Sequence, residues 1–307
     1  FMYSLSTCWN SGRHTCGRQM LREIRDLGFE YAELSHGIRI SLVPGILEAV
    51  DAGEIRISTL HNFCPLPLGI NHPAPNVFKF TAEDARERAS ALKHSLKTLE
   101  MAERVQARLV VLHCGQVEMR DYNEKLEALV ARGERDSSRY RRLMEEMETR
   151  RERHKDLAMD LAAELIQRIA SEAASRGLLL GIENREAVEE IPFDHDLPFF
   201  LARFPDNVRY WHDCGHAQIK ENLGLIHHAM QLEEMAPRLA GFHIHDVVAD
   251  EEGQHDHCPP GVGMVDFKTL KAFVRADQIK VIELSPGVAV DDLRSGAAYI
   301  RSVWGGE

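Results

Sequence analysis

Eight short runs of apolar and β-branched residues, spread over the whole chain and separated by helix-period segments, constrain the fold more than any other feature. They lie at 3–6, 31–34, 55–60, 109–113, 178–183, 208–212, 241–245 and 280–284. Between them, apolar residues recur at helical spacing over 17–27, 82–105, 157–176, 220–236 and 266–276, with Thr81 and Asp266 placed as caps. Strands that alternate with helices pair in parallel, because each crossover helix returns the chain to the same end of the sheet. Eight such units in 307 residues predict an α/β fold, a single (β/α)8 barrel domain over 1–307.

The fourth unit is longer than the rest. Residues 117–156 are charge-rich and helical in pattern, and they precede the expected barrel helix. This reads as a helical insertion after the fourth strand: a solvated extension, a lid or the contact of a homodimer. Leu126, Leu129, Val130, Leu143 and Met147 would form its buried stripe.

Charge and composition narrow the function. A formal charge of −11 argues against a broad nucleic-acid or anionic-membrane surface, since both bind through clustered Lys and Arg. No apolar run approaches the roughly 18 residues of a membrane span, and the opening FMYSLSTCWNSGRH lacks the pattern of a signal peptide. A cytoplasmic enzyme acting on a small molecule is the expectation. The six cysteines are dispersed without a CxxC pair and read as reduced thiols, with Cys64 and Cys258 the two open to ligation.

Polar residues gather at the predicted strand ends. His61 closes strand three, His113 strand four, Glu183 strand five, Asp213 and His216 strand six, His243 strand seven and Glu283 strand eight; His257 follows strand seven. In barrels of this class those ends form one mouth, so residues remote in sequence converge. A lone strand-end histidine is more often a hydrogen-bonded structural group than a ligand. Eight ligand-type side chains on six strand ends are harder to account for without a cation.

Three carboxylates with several imidazoles suit Zn²⁺ or Mn²⁺, with Co²⁺ or Mg²⁺ as alternatives, better than Ca²⁺. Strand alternation sends His212 and Cys214, which flank Asp213, toward the helix layer. Glu33 and His36, at the end of strand two, are candidates to line the mouth, in substrate contact or in plain hydrogen bonding, and Arg185, just after Glu183, and His255 are further candidates to touch substrate. The Pro259–Gly263 stretch reads either as backbone that closes on a substrate or as a tight turn.

The motifs LHCG at His113, GIEN at Glu183, HDCGHA at Asp213, GFHIHD at His243, DHCPPGVGMVDF at 256–267 and VIELSPG at Glu283 together resemble the xylose-isomerase-like TIM barrels. The resemblance runs from the first strand to the last. In the isomerase and epimerase branch it implies that Glu183, Asp213, His243 and Glu283 hold one divalent metal. It further implies that the two glutamates act as an acid/base pair and that His216 contacts a substrate oxygen.

In the endonuclease IV branch the resemblance implies a zinc cluster that adds His61, His113, His216 and His257. That branch has an aspartate two residues before the last histidine, where this chain has His255. The leading expectation is a metal-dependent sugar or polyol isomerase/epimerase working through an enediolate. Alternatives are an endonuclease IV-like zinc phosphodiesterase, a dehydratase of the inosose or dehydroshikimate type, and a barrel that has lost catalysis and serves binding.

Overall fold

The computed structural model describes residues 2–204 and 206–306; Phe1, Pro205 and Glu307, inside the expected 1–307 domain, lie outside the described residues. Seven parallel strands come first: β1 (Met2–Ser6), β2 (Tyr31–Leu34), β3 (Arg56–His61), β4 (Leu109–Leu112), β5 (Leu179–Glu183), β6 (Val208–Asp213) and β7 (Leu239–Ile244). A hairpin, β8 (Asp246–Asp250) with β9 (Gly253–Cys258), then leaves the end of β7. The eighth barrel strand, β10 (Ile279–Ile282), pairs with both β7 and β1 and closes an all-parallel barrel. The hairpin is absent from the sequence reading, which treats 246–258 as loop.

Ten α-helices surround these strands among the described residues: α1 (Gly17–Asp26), α2 (Val43–Asp51), α3 (Ala85–Arg104), α4 (Asn123–Ala131), α5 (Ser138–Ser175), α6 (Leu197–Arg203), α7 (Cys214–Leu223), α8 (His228–Met235), α9 (Phe267–Leu270) and α10 (Val290–Trp304). Three differ from expectation for local reasons. The segment 117–156 forms α4 and then runs without a break into the barrel helix, so α5 is 38 residues and about 57 Å long. The helix expected over 220–236 is two, because Gly224 takes a left-handed φ of 81° and ends α7. The cap of α3 is Asp84, accepting from Arg86 N at 2.8 Å; Thr81 instead accepts from Gln116 N at 2.9 Å.

The barrel interior is packed by Leu109, Val111, Trp211, Ile279 and Val281, and a larger apolar layer lies between strands and helices. Trp211 fits because β7 carries glycine opposite it: a Cβ at Gly241 would lie 2.4 Å from the indole. A third apolar cluster, which includes Tyr122, Leu126, Leu129 and Met147, seats the 117–156 segment on α7. Two ion pairs are buried beside that segment, Arg151 with Asp196 at 2.6 Å and Lys220 with Asp194. No described helix is long and apolar enough to cross a membrane.

Candidate metal centre and active site

Glu183 and Asp213 are the last residues of β5 and β6, His243 is the penultimate residue of β7, and Glu283 is the first residue beyond β10. Parallel register brings them to one level, with Glu183 beside Trp211 and Asp213 beside His243 across their ladders. Their ligand atoms lie within 4.8 Å of one another and all four residues are buried. His243 Nδ1 sits among the carboxylates, 2.5 Å from Glu183 Oε1, 3.3 Å from Glu283 Oε2 and 3.8 Å from Asp213 Oδ2.

Burial disfavours charge on His243, yet Glu283, Glu33 and Glu183 outweigh it and hold the imidazole pKa well above its usual value. Burial likewise pushes the carboxylates up. His243 leads the groups that reverse this and hold Glu183 and Glu283 well below the usual range. Asp213 is drawn down to about 2 by His216 and His245.

His243 as imidazolium and the Arg185 guanidinium, 2.8 Å from Glu183, thus face three buried carboxylates, and a divalent cation would take the place of the Nδ1 proton and supply one more positive charge. The residues fit such an ion. On the far side of the ring, His243 Nε2 lies 3.0 Å from Glu33 Oε2. A proton held there leaves Nδ1 to the cluster.

Of the two roles open to Glu33, the structure shows the hydrogen-bonding one, away from the mouth. Glu33 is fully buried beneath His243 and accepts from Ser6 Oγ at 2.9 Å and Thr59 Oγ1 at 2.8 Å, so no substrate reaches it. His255 departs from expectation. It points away from the mouth on the outer side of the hairpin, bonded to Asp250 at 2.9 Å. Its neighbour Asp256 turns inward instead, 3.9 Å from His216 Nε2.

His61 and His113 approach the cluster from the β3–β4 side. Burial depresses both pKa values, so each ring is neutral and carries one N–H. His61 Nδ1 spends its proton on Asn62 O at 2.8 Å, and His113 Nδ1 spends its own on Asn76 Oδ1 at 2.9 Å. The two Nε2 lone pairs then face each other at 3.1 Å, with Glu183 Oε2 2.8 Å from His113. Three acceptors converge there, relieved on one side by Arg185 Nη1 donating to Glu183 Oε2 at 2.8 Å.

On the opposite flank Asp213 Oδ1 caps α7 by accepting from His216 N at 2.7 Å, and Asp213 Oδ2 accepts from His245 Nε2 at 2.9 Å. The ring of His245 lies over Gly215 so closely that a Cβ there would sit 2.1 Å from it. This is why glycine separates Asp213 from His216. His216 Nδ1 donates to Asn184 O at 3.1 Å, which leaves Nε2 toward the cavity. His257, in the left-handed region at φ 54°, stacks on His245 and places Nε2 3.6 Å from Glu283.

These groups open into a cavity of about 310 Å3, whose wall also includes His36 and Arg185. His212 and Cys214 face the helix layer; His212 bonds Tyr210 and His228 at 2.7 and 2.9 Å. Cys64 is packed in the apolar core and Cys258 donates to backbone carbonyls, so neither joins the cluster. The 259–265 stretch folds over the Asp246 carboxylate, which accepts from the amides of Gly261, Gly263 and Val265. It is a turn clamp and lies outside the cavity wall.

His245, Asp256 and Glu186 are the site residues the sequence reading missed. His245 carried a usable signal, since period-two alternation places it on the face of His243.

A family model described as xylose isomerase-like TIM barrel matches residues 21–303. No functionally curated protein matches the chain in sequence. Among solved structures, 3-keto-D-glucoside 4-epimerase from E. coli superposes with a TM-score of 0.68 at 15% identity, over 98% of this chain and 100% of that one. D-psicose 3-epimerase with D-tagatose, from Clostridium cellulolyticum H10, gives 0.67 at 11% identity over 100% of both chains. A D-tagatose 3-epimerase-like protein gives 0.68 at 16% identity, over 99% of this chain and 97% of that one. At these identities the likeness carries the fold.

Proposed function

The chain belongs to the xylose isomerase-like TIM barrel family, and on that premise we propose that it is a metal-dependent isomerase or epimerase of a small sugar or polyol-derived carbonyl compound. One observation carries the reading: Glu183 and Glu283 flank His243 Nδ1 at 2.5 and 3.3 Å, with Asp213 completing a buried set at the floor of the cavity. Glu183, Asp213, His243 and Glu283 would hold the ion, Zn²⁺ or Mn²⁺ ahead of Co²⁺ or Mg²⁺. When bound, a divalent cation supplies Lewis acidity that acidifies the C–H between a carbonyl and a hydroxyl.

The chain's own groups do the rest. One glutamate takes the proton from that C–H to give an enediolate; the same group returns it to the adjacent carbon in an isomerisation, whereas in an epimerisation the other glutamate, entering protonated, delivers its proton to the opposite face. His216 Nε2 holds a substrate oxygen, Asn184 fixes the His216 tautomer by accepting from Nδ1, and Arg185 orients Glu183 by donating to Oε2 at 2.8 Å. Neutral Gln at either glutamate keeps the shape and removes the base. Glu183→Gln and Glu283→Gln are each expected to slow exchange of the substrate C–H with deuterated water by about 10²–10⁴-fold. Undiminished exchange in both overturns the acid/base assignment.

A second reading has its own observation. The converging lone pairs of His61 Nε2, His113 Nε2 and Glu183 Oε2 favour a further cation beside the first, as an endonuclease IV-like zinc phosphodiesterase would need. Metal analysis separates the two. One ion per chain supports the isomerase/epimerase; two or three zinc ions with phosphodiester hydrolysis support the second reading. Loss of a β-hydroxyl from the same enediolate would give a dehydratase, recognised by its unsaturated product.

A further inference from the structure

The floor of the cavity fixes the reaction; its rim bears on which substrates reach it. We propose that Glu186 and Asp256, set around His216 at the rim, select neutral polyhydroxylated substrates and reject phosphorylated or carboxylated ones. This rests on the isomerase/epimerase reading of the same site.

Glu186, His216 and Asp256 bring their ligand atoms within 4.8 Å of one another, and all three line the cavity that opens onto Glu183 and Glu283. Asp256 is anchored by His257 Nδ1 at 2.9 Å, which leaves Oδ2 on the cavity side, 3.9 Å from His216 Nε2. A carboxylate only accepts hydrogen bonds. Sugar hydroxyls can donate to it, whereas a phosphate dianion has no proton to give and meets like charge.

The cationic groups that could offset this already face carboxylates, His257 with Asp256 at 2.9 Å and Glu283 at 3.6 Å, and Arg185 likewise. Arg185 is the one Lys or Arg among the described residues of the cavity wall. Its Nη1 donates to Glu183 at 2.8 Å and its Nε donates to Glu190 at 3.0 Å. The wall also carries the apolar residues Pro73, Pro75, Leu284 and Pro286. A polyol chain presents C–H groups to such a wall while its hydroxyls turn to the carboxylates.

The test compares D-fructose and D-ribulose with their terminal phosphates in the metal-loaded protein, by C–H exchange. It adds calorimetric titration of the unreactive pair sorbitol and sorbitol 6-phosphate. The free sugars are expected to be preferred by about 100-fold in kcat/KM, and sorbitol to bind more tightly than its phosphate by a like factor. Glu186→Gln with Asp256→Asn is expected to narrow both ratios by about tenfold or more. Equal or better handling of the phosphates, ratios unchanged in the double variant, or binding of neither polyol overturns the proposal. If no sugar exchanges its C–H while sorbitol still binds over its phosphate, the reaction assignment fails and the rim assignment stands.

Discussion

Beside the 117–156 segment, Asp194 and Asp196 are buried against Lys220 and Arg151; at the mouth, Glu183, Asp213 and Glu283 are buried around one imidazole. The first region supplies a full cation from the chain for each carboxylate, and Asp194 and Asp196 are only 2% and 5% exposed. The second holds three carboxylates whose cationic neighbours, His243, Arg185 and His257, are shared with Glu33, Glu190 and Asp256, so the chain does not supply one cation for each. Buried charge is expensive in both places, so the contrast separates a contact closed within the chain from one that, on the proposed reading, a cation would complete.

The contrast breaks most visibly if its closed half is opened. Lys220→Met leaves Asp194 buried without its cation, and the expected loss is about 3–5 kcal/mol in chemical denaturation. Replacing both partners together, Lys220→Met with Asp194→Leu, is expected to recover most of it. A single variant as stable as the parent would show that the pair is not the closed contact described here.

Next in size is the open half. Metal-stripped protein given Zn²⁺ or Mn²⁺ at about 100 times the dissociation constant is expected to gain about 2.7 kcal/mol, seen as a higher melting temperature. The same gain should persist in Lys220→Met and vanish in Asp213→Asn. No gain in the parent would remove the ground for calling the mouth incomplete.

The two regions also differ in how far the chain announces them. The barrel and its mouth are readable because short apolar runs end repeatedly in His, Asp or Glu, and a parallel barrel leaves one place for those ends to go. The buried pairs are not readable. Lys220 and Arg151 lie on helices like any solvated cation, and only tertiary packing brings Asp194 and Asp196 beneath them. The hairpin was hidden for another reason. Its turn lacks the Asn-Gly or Asp-Gly signal, and its register shifts between Asp246 and Val248. With His257 at positive φ, the successive residues Asp256 and His257 both turn to the cavity while His255 turns out. Strict period-two reasoning cannot anticipate that.

Glu33 joins the two kinds of site and gives the finest test of the comparison. It is a buried carboxylate whose partners, Ser6, Thr59 and His243, all come from the chain, yet through His243 it reaches the open cluster. Its charge favours the proton on His243 Nε2 and so makes Nδ1 a stronger donor to a cation. Glu33→Gln keeps the volume and an acceptor oxygen but loses the charge. Metal affinity, measured by competition with a chromophoric chelator, is expected to fall about 10–100-fold, with C–H exchange largely restored at saturating metal. Unchanged affinity would place Glu33 with Asp194 and Asp196, as a carboxylate the fold neutralises for its own sake.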